Sequence, residues 1–389
     1  MKLKLRIIMP DEPAEFGKGY QKLVYHRIQS LRNYYEVSVV SIKPAKRSFD
    51  HIKNSKLEGL LHLTIEIGFI TVLYNLILCI LYLKPLQTAL YNSPKLKKLL
   101  QSNEFDINVF YLSRSFIDLG ECGGVKVIEF VDSMHKNFQS RLVHDKGLTR
   151  LLYRYEAFAA KNYERAIASK ADLCTAVSND DARNISDLVV SAPIGVDKTT
   201  SNSSFKNSNY ITFSGKMDYG PNVDAALWFY NNVWKNRTKA LSGYRFKILG
   251  SDPVDEIKSL MDNDPSVFVT GFVVSLIDEL ANSRISISPM RSGSGMQFKI
   301  LEAMASGIPV ITSKKGLGDI QAKPGEEILL AETAQEYQVL LTKLIQDTDF
   351  ACALSSRGRN FIEENHSWET LNSNFIDRIE TIVKENRVT

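Results

Sequence analysis

Residues 285–312 read ISISPMRSGSGMQFKILEAMASGIPVIT. The run 285–288 is short and apolar at alternate positions, as in a buried strand. Gly293-Ser294-Gly295 then breaks the chain. A helical pattern fills 298–305 and stops at Gly307-Ile308-Pro309. A second apolar run follows at 309–312. Strand, glycine turn, helix and strand in this order form the repeating unit of a parallel α/β sheet.

The same alternation extends in both directions. Towards the N-terminus, strands are expected at 3–9, 37–42, 109–112, 125–130 and 173–177. Around the opening segment, strands are expected at 210–213, 245–249, 267–270 and 327–330. Pro221 suits the first position of a helix, and Asp278-Glu279-Leu280 belong to a short helix before the 285 strand. The stretch 198–209, KTTSNSSFKNSN, is polar and nearly free of apolar residues, as a linker is. It divides the chain into domains at 1–197 and 210–369, with a last helix at 370–389. Two Rossmann-like domains of this kind would enclose a cleft between the C-terminal ends of their sheets, where open α/β sheets bind ligands.

Composition sets outer bounds. The chain has 389 residues, 44% hydrophobic and 24% charged, with a net charge of +4. That is the make-up of a globular protein and excludes collagen, coiled coil and wholesale disorder. The charge is too mild for a dedicated nucleic-acid binder. Cys79, Cys122, Cys174 and Cys352 lie far apart with no CxxC, so neither a disulfide framework nor a zinc site is expected, and a reducing compartment fits. The start, MKLKLRIIMP, has too short an apolar run for a secretory leader and reads as the first strand.

Charge and hydropathy are uneven. Residues 1–197 hold 27 Lys and Arg against 21 Asp and Glu, while the remainder is slightly acidic. Residues 67–83, IGFITVLYNLILCILYL, are uncharged, and 84–100 carry Lys84, Lys95, Lys97 and Lys98 without an acid. The apolar run is at the short limit for a span of about 20 residues, and Asn75, Thr71, Tyr74 and Cys79 interrupt it. Three readings stay open: an interfacial helix drawn to anionic lipid by its lysines, a true span, or a core helix.

The chemistry concentrates at 293–302. Glycines let the backbone approach an anion, and the amides of a helix N-terminus point at it. Lys299, in the first turn, adds a positive charge suited to a diphosphate. Glu302 shares its helical face and can accept the hydroxyls of a ribose. An ordinary strand–turn–helix with a surface Lys–Glu pair has the same spacing. Asp132 and His135 follow the 125–130 strand, where an acid or imidazole can orient a hydroxyl or relay its proton. Equally, Asp132 can cap the next helix with His135 merely exposed. Trp228, Phe229 and Trp234 read as core rather than as a sugar platform. No DxD pair is expected to hold a metal.

The string GMQFKILEAMASGIPVITS, at 295–313, resembles the nucleotide-sugar site of glycosyltransferase family 4, enzymes of the GT-B fold. The resemblance continues in FSGKMDYGPNVDAALWF (213–229), ILGSDP (248–253), VTGFV (269–273), VSNDDA (177–182) and IGVD (194–197). FVDSMH (130–135) and LKPLQTALYNS (83–93) are similar to the branch that builds bacterial exopolysaccharide, capsule or O-antigen. It implies two facing Rossmann-like domains, the first for the acceptor and facing the membrane, the second for the nucleotide sugar. The last helix would cross back to the first domain.

The implied roles fall on named residues. The amides of Gly295, Met296, Gln297 and Phe298 with Lys299 would hold the donor diphosphate, Glu302 the ribose, and Ser294 would belong to the same donor site. Phe272 and Val273 would bracket the base, and Lys216 would face the leaving phosphate. Gly17-Lys18-Gly19 would face diphosphate and acceptor, while Asp132 and His135 would serve catalysis. The resemblance implies a retaining, metal-independent glycosyltransferase with no cofactor. It would act on a lipid-linked or membrane-associated glycan acceptor in the cytoplasm, on the inner face of the plasma membrane, with no nucleic-acid partner.

The family commonly has two glutamates eight positions apart, but here Ser294 stands eight before Glu302, and the Lys216 region lacks the usual basic pair. Ser294 keeps a catalytically silent binding subunit of a partner transferase as the alternative. A GT-B nucleotide-sugar epimerase or a membrane-anchored scaffold is the remaining choice.

Overall fold

A computed structural model describes residues 2–15, 19–44, 57, 59–101, 104–116, 123–142, 147–197, 205–293 and 296–388. The chain forms two compact units, Met1–Ile194 with Glu369–Thr389, and Gly195–Trp368.

The first unit runs β1 (Lys4–Pro10), α1 (Gly19–Leu31), β2 (Glu36–Pro44), β3 (Leu61–Ile67), α2 (Phe69–Leu81), α3 (Pro94–Leu100), β4 (Ile107–Tyr111), β5 (Val125–Glu129), α4 (Met134–Arg141), α5 (Leu148–Ala168), β6 (Leu173–Ala176), α6 (Asn179–Ile185) and β7 (Val189–Ser191). Its seven strands are ordered β3-β2-β1-β4-β5-β6-β7 and pair in parallel. Ile7 stands opposite Val39 on one side and Val109 on the other. Leu5, Ile7, Ile8 and Met9 of β1 are all fully buried. Helices cover both faces of such a sheet, so its central strands read as unbroken apolar runs.

The second unit contains β8 (Tyr210–Ser214), α7 (Gly220–Phe229), β9 (Arg245–Leu249), α8 (Asp255–Asn263), β10 (Val267–Val269), α9 (Leu276–Ala281), β11 (Ile285–Ser288), α10 (Phe298–Ala305), β12 (Val310–Thr312), α11 (Lys314–Leu317), β13 (Leu329–Leu330), α12 (Ala334–Gln346) and α13 (Thr348–Asn365). Its order is β10-β9-β8-β11-β12-β13, again all parallel. Phe229, Trp234, Phe246 and Tyr337 meet in its core, with ring centroids 5.0–6.5 Å apart. Phe229 and Trp234 are therefore core, as expected, and Trp228 packs edge-on to Tyr337. The chain ends in α14 (Trp368–Val388), of which residues 369–388 belong to the first unit.

Four expectations need correction. The boundary of the second unit lies at Gly195, ahead of the polar stretch. Val196 N–H donates to His366 O at 2.9 Å, and the Trp368 indole donates to Asp197 at 2.9 Å. Within the stretch itself, 198–204 lie outside the described residues, but Phe205 is buried under Arg284. Strands β3 and β7 were not expected: β3 is largely exposed and β7 has three residues. Finally, residues 67–83 are not one helix. Ile67 closes β3, and Gly68 separates it from the 13 residues of α2. No helix among the described residues is long and apolar enough to cross a membrane.

Candidate functional site

In a sheet of order 3-2-1-4, the connections leave the first and fourth strands in opposite directions and open a crevice between their C-terminal ends. In the second unit these strands are β8 and β11. β8 leads into Gly215-Lys216 and then α7. β11 leads through 289–297 into α10. Both turns therefore open on the same edge of the sheet.

Lys299, in the first turn of α10, reaches across to the β8 side. Its ammonium donates to Asn222 Oδ1, lies 3.5 Å from Met290 Sδ, and sits 4.9 Å from the centre of the Phe213 ring. Burial lowers its pKa to about 7, against the opposing pull of Glu302. Asn222 is fixed in turn, since its amide donates to Lys216 O at 2.9 Å. Gly215 has φ +154°, and a Cβ there would lie 2.6 Å from the Asn222 amide nitrogen and 3.3 Å from Lys299 Nζ. The close approach of backbone to ammonium thus depends on this glycine.

The other donor-side residues are arranged around this point. The side chain of Gln297, the N-cap of α10, makes no cap hydrogen bond. Phe298 and Met296 are half-buried, and Ser294 and Gly295 lie outside the described residues. Glu302 is half-buried one turn along α10. Lys216 is exposed and pairs with Asp218 at 2.6 Å and Asp252 at 3.4 Å. The Asp218 hydrogen bond raises its pKa. Two carboxylates thus already neutralise Lys216. Phe272 and Val273 follow β10 at the same edge. Phe272 is 77% exposed, and Val273 packs on the core. Their backbone N–H groups have no hydrogen-bond partner among the described residues. Gly271 ahead of them has φ +71°, the turn that glycine permits.

The corresponding point of the first unit lies between β1 and β4. Asp11, Leu112 and Val131, which follow β1, β4 and β5, have φ of 62–66°. That is a rare conformation for Leu and a strained one for β-branched Val. Tyr20 donates to Asp11 Oδ2 at 2.5 Å. Gly17 and Lys18 lie outside the described residues, and Gly19 opens α1.

Asp132 is half-buried beyond β5. Burial raises its pKa, with Asp181 acting in the same direction. Asn137 donates to it at 2.8 Å. It does not cap α4. Ser133 does, accepting from Lys136 N–H at 3.3 Å. His135 is buried against α5, with Nδ1 2.7 Å from Ala157 O. Only Nε2 is then left for chemistry, so neither an exposed His135 nor one with both nitrogens available matches the structure. Sequence reading missed Glu164. This buried carboxylate accepts from Met134 N–H at 2.7 Å and His135 N–H at 3.3 Å, and burial pushes its pKa up to about 8. It looks like any acid of an amphipathic helix until the helix is docked. Asn222 did leave a trace: a polar amide just after a proline at a helix start.

Comparison with known proteins adds the following. Residues 208–347 match the family model described as Glycosyl transferases group 1. A curated relative, an uncharacterized 44.6 kDa protein in the cps region of Klebsiella pneumoniae, is 22% identical over 231 residues, 56% of this chain; the chain spans 58% of that relative's length. Sucrose-phosphate synthase from Thermosynechococcus elongatus is similar in structure at TM-score 0.70 and 15% identity, covering 98% of this chain and all of that one. HepE of Anabaena, solved with UDP-glucose, aligns at TM-score 0.66 and 15% identity over 97% and 99% of the two chains. The apo lipopolysaccharide outer core galactosyltransferase WaaB aligns at 0.63 and 14% over 97% and 99%. The fold is GT-B, and the match to the glycosyl transferases group 1 model lies within the second unit.

Proposed function

We propose that this chain is a glycosyltransferase that moves a sugar from a nucleotide-diphosphate sugar to a glycan acceptor in the assembly of a surface polysaccharide. The observation that carries the reading is the position of Lys299, inside a glycosyltransferase group 1 domain. Its ammonium lies between the ends of β8 and β11, beside the N-terminus of α10. A diphosphate there would meet one ammonium and a row of helix amides, which stabilise the charge growing on a leaving nucleoside diphosphate. Glu302 takes the ribose, and the free backbone groups of Phe272 and Val273 take the base. The charge is met by protein groups rather than by a metal, so turnover should be unchanged by a chelator; its loss would count against this.

Asp132 orients the acceptor hydroxyl, and His135 holds α4 against α5. Retention of the anomeric configuration and a lipid-linked acceptor at the inner face of the membrane complete the proposal. They are supported by the sequence resemblance alone; the cps-region relative supports the surface-polysaccharide setting. The test is a thermal-shift panel of nucleotide sugars. A true donor at about 100 times its Kd adds roughly 2.7 kcal/mol of stability. Transfer from that donor, read by NMR of the product anomer, then checks the stereochemistry. A panel that stabilises nothing would defeat the reading.

A further inference from the structure

α2 is folded inside out. Of its 13 residues, FITVLYNLILCIL, the buried ones are Asn75 and Cys79. The Asn75 amide donates to Ala89 O at 3.0 Å and Asn92 O at 2.8 Å, and Cys79 Sγ lies 3.4 Å from Thr88 Oγ1. Phe69, Ile70, Tyr74, Ile77, Ile80 and Leu81 face outward, each more than half exposed, Ile70 by 83%. A helix on a surface meant only for water shows the reverse pattern, and a contiguous apolar patch of this kind marks an interaction site.

The patch continues onto α5. The Tyr155 hydroxyl lies 3.0 Å from the carbonyls of both Cys79 and Lys84, which joins α5 to the end of α2. One to two turns before it, Leu148, Leu151 and Leu152 are exposed. Every exposed charge on α2, α3 and α5 is Lys or Arg, while the acids of α5, Glu156 and Glu164, are buried. A cavity of about 310 Å³ lies at the end of α2. Among the described residues its charged lining is Lys84, Lys97, Arg114 and Lys170, with no carboxylate. Arg114 Nε is buried there with no hydrogen-bond partner among the described residues.

We propose that the first unit docks on an anionic bilayer. The outer face of α2 and the start of α5 enter the interface, and a lipid phosphate occupies the cavity of Lys84, Lys97, Arg114 and Lys170. The charge pattern selects this occupant. A second copy of the chain would bring like cations together, whereas an anionic lipid surface attracts them. α2 is about 20 Å long, too short to span but long enough to lie in the headgroup region. The inference rests on the proposed function only in assigning membrane work to the chain, since the donor residues are in the other unit.

The test is co-sedimentation of the full chain with vesicles of phosphatidylcholine, with and without phosphatidylglycerol. Binding should need the anionic lipid and weaken with salt. Near such a surface each cation strengthens attachment about fivefold, so Lys84→Gln/Lys97→Gln/Lys170→Gln together should weaken it on the order of a hundredfold. Ile70→Ser/Ile77→Ser should also weaken it, with the melting temperature held or raised because both side chains are exposed. Equal binding to neutral vesicles, or an unaffected triple variant, would overturn the proposal. So would full displacement by millimolar inorganic phosphate, which marks a soluble-anion pocket, or a dimer broken by Ile70→Ser, which marks an interface between copies. Nucleotide binding measured without vesicles reports on the second unit alone, so either reading can fail without the other.

Discussion

Lys299 stands where a charged ammonium is costly to hold. Its pKa, lowered to about 7 by burial, means that the folded chain binds fewer protons than the unfolded one between about pH 7 and the ordinary lysine value of 10.5. Stability therefore rises with pH across that window, because the unfolded state holds the extra proton. Below pH 7 both states are charged and the burial penalty is present in full. Lys299→Met keeps the length and removes the charge. This variant should be at least as stable as the wild type at pH 7, with a gap that closes by pH 10 in denaturant titrations. A large loss of stability at pH 7 would show that the ammonium serves the fold instead. An anion beside Lys299 would restore its proton, so nucleotide affinity should fall by up to tenfold per pH unit above 7. A flat profile to pH 9 would contradict that coupling.

At the level of elements, the ends of β8 and β9 approach too closely for any side chain. A Cβ on Gly250, which has φ +156°, would lie 1.7 Å from Gly215 O. Gly250→Ala should cost about 3 kcal/mol or more, read as a loss of thermal stability, and should disturb Lys216 and Asn222 with it. A wild-type melting curve would mean that the two turns are looser than described. β9 and β11 were legible from sequence to the residue, since a buried strand between glycines and polar caps announces both ends. β3 was not. Its apolar residues do alternate, Leu61, Leu63, Ile65 and Ile67 standing between His62, Thr64 and Glu66, but only Ile65 and Ile67 are buried. Ile67 instead merged into the apolar run that follows. α2 was legible as apolar but not in orientation. Which side turns inward depends on Ala89, Asn92 and Thr88, the partners of Asn75 and Cys79, and periodicity contains no such information. The glycine turn and Lys299 stand out in the sequence as a candidate anion site. Asn222 and Gly215, which place the ammonium, come from a different βα unit and meet it only in the folded sheet.

Across the whole molecule, the C-terminal helix is tied into the first unit through one buried cation. Arg27 donates to Leu371 O at 2.9 Å and Asn372 Oδ1 at 2.8 Å, pairs with buried Glu129 at 3.4 Å, and stacks on Phe375 at 4.1 Å. Arg27→Ala leaves Glu129 buried without its cation, at a cost of about 3–5 kcal/mol. Limited proteolysis should then cleave near residue 368 and release the helix; equal resistance in variant and wild type would show that apolar packing alone holds it. Within the second unit, Val196 bridges Ser367, and a Cβ on Gly195 would lie 2.5 Å from the Trp368 ring. The first and last residues of that unit are thus held together.

The most direct test of the donor site is calorimetric titration of a nucleoside diphosphate into the wild-type chain and Lys299→Met at pH 6.5. The expected result is saturable binding by the wild type and at least tenfold weaker binding by the equally folded variant, as loss of one charged contact implies. Equal affinities for the two proteins would contradict the placement of the diphosphate beside Lys299.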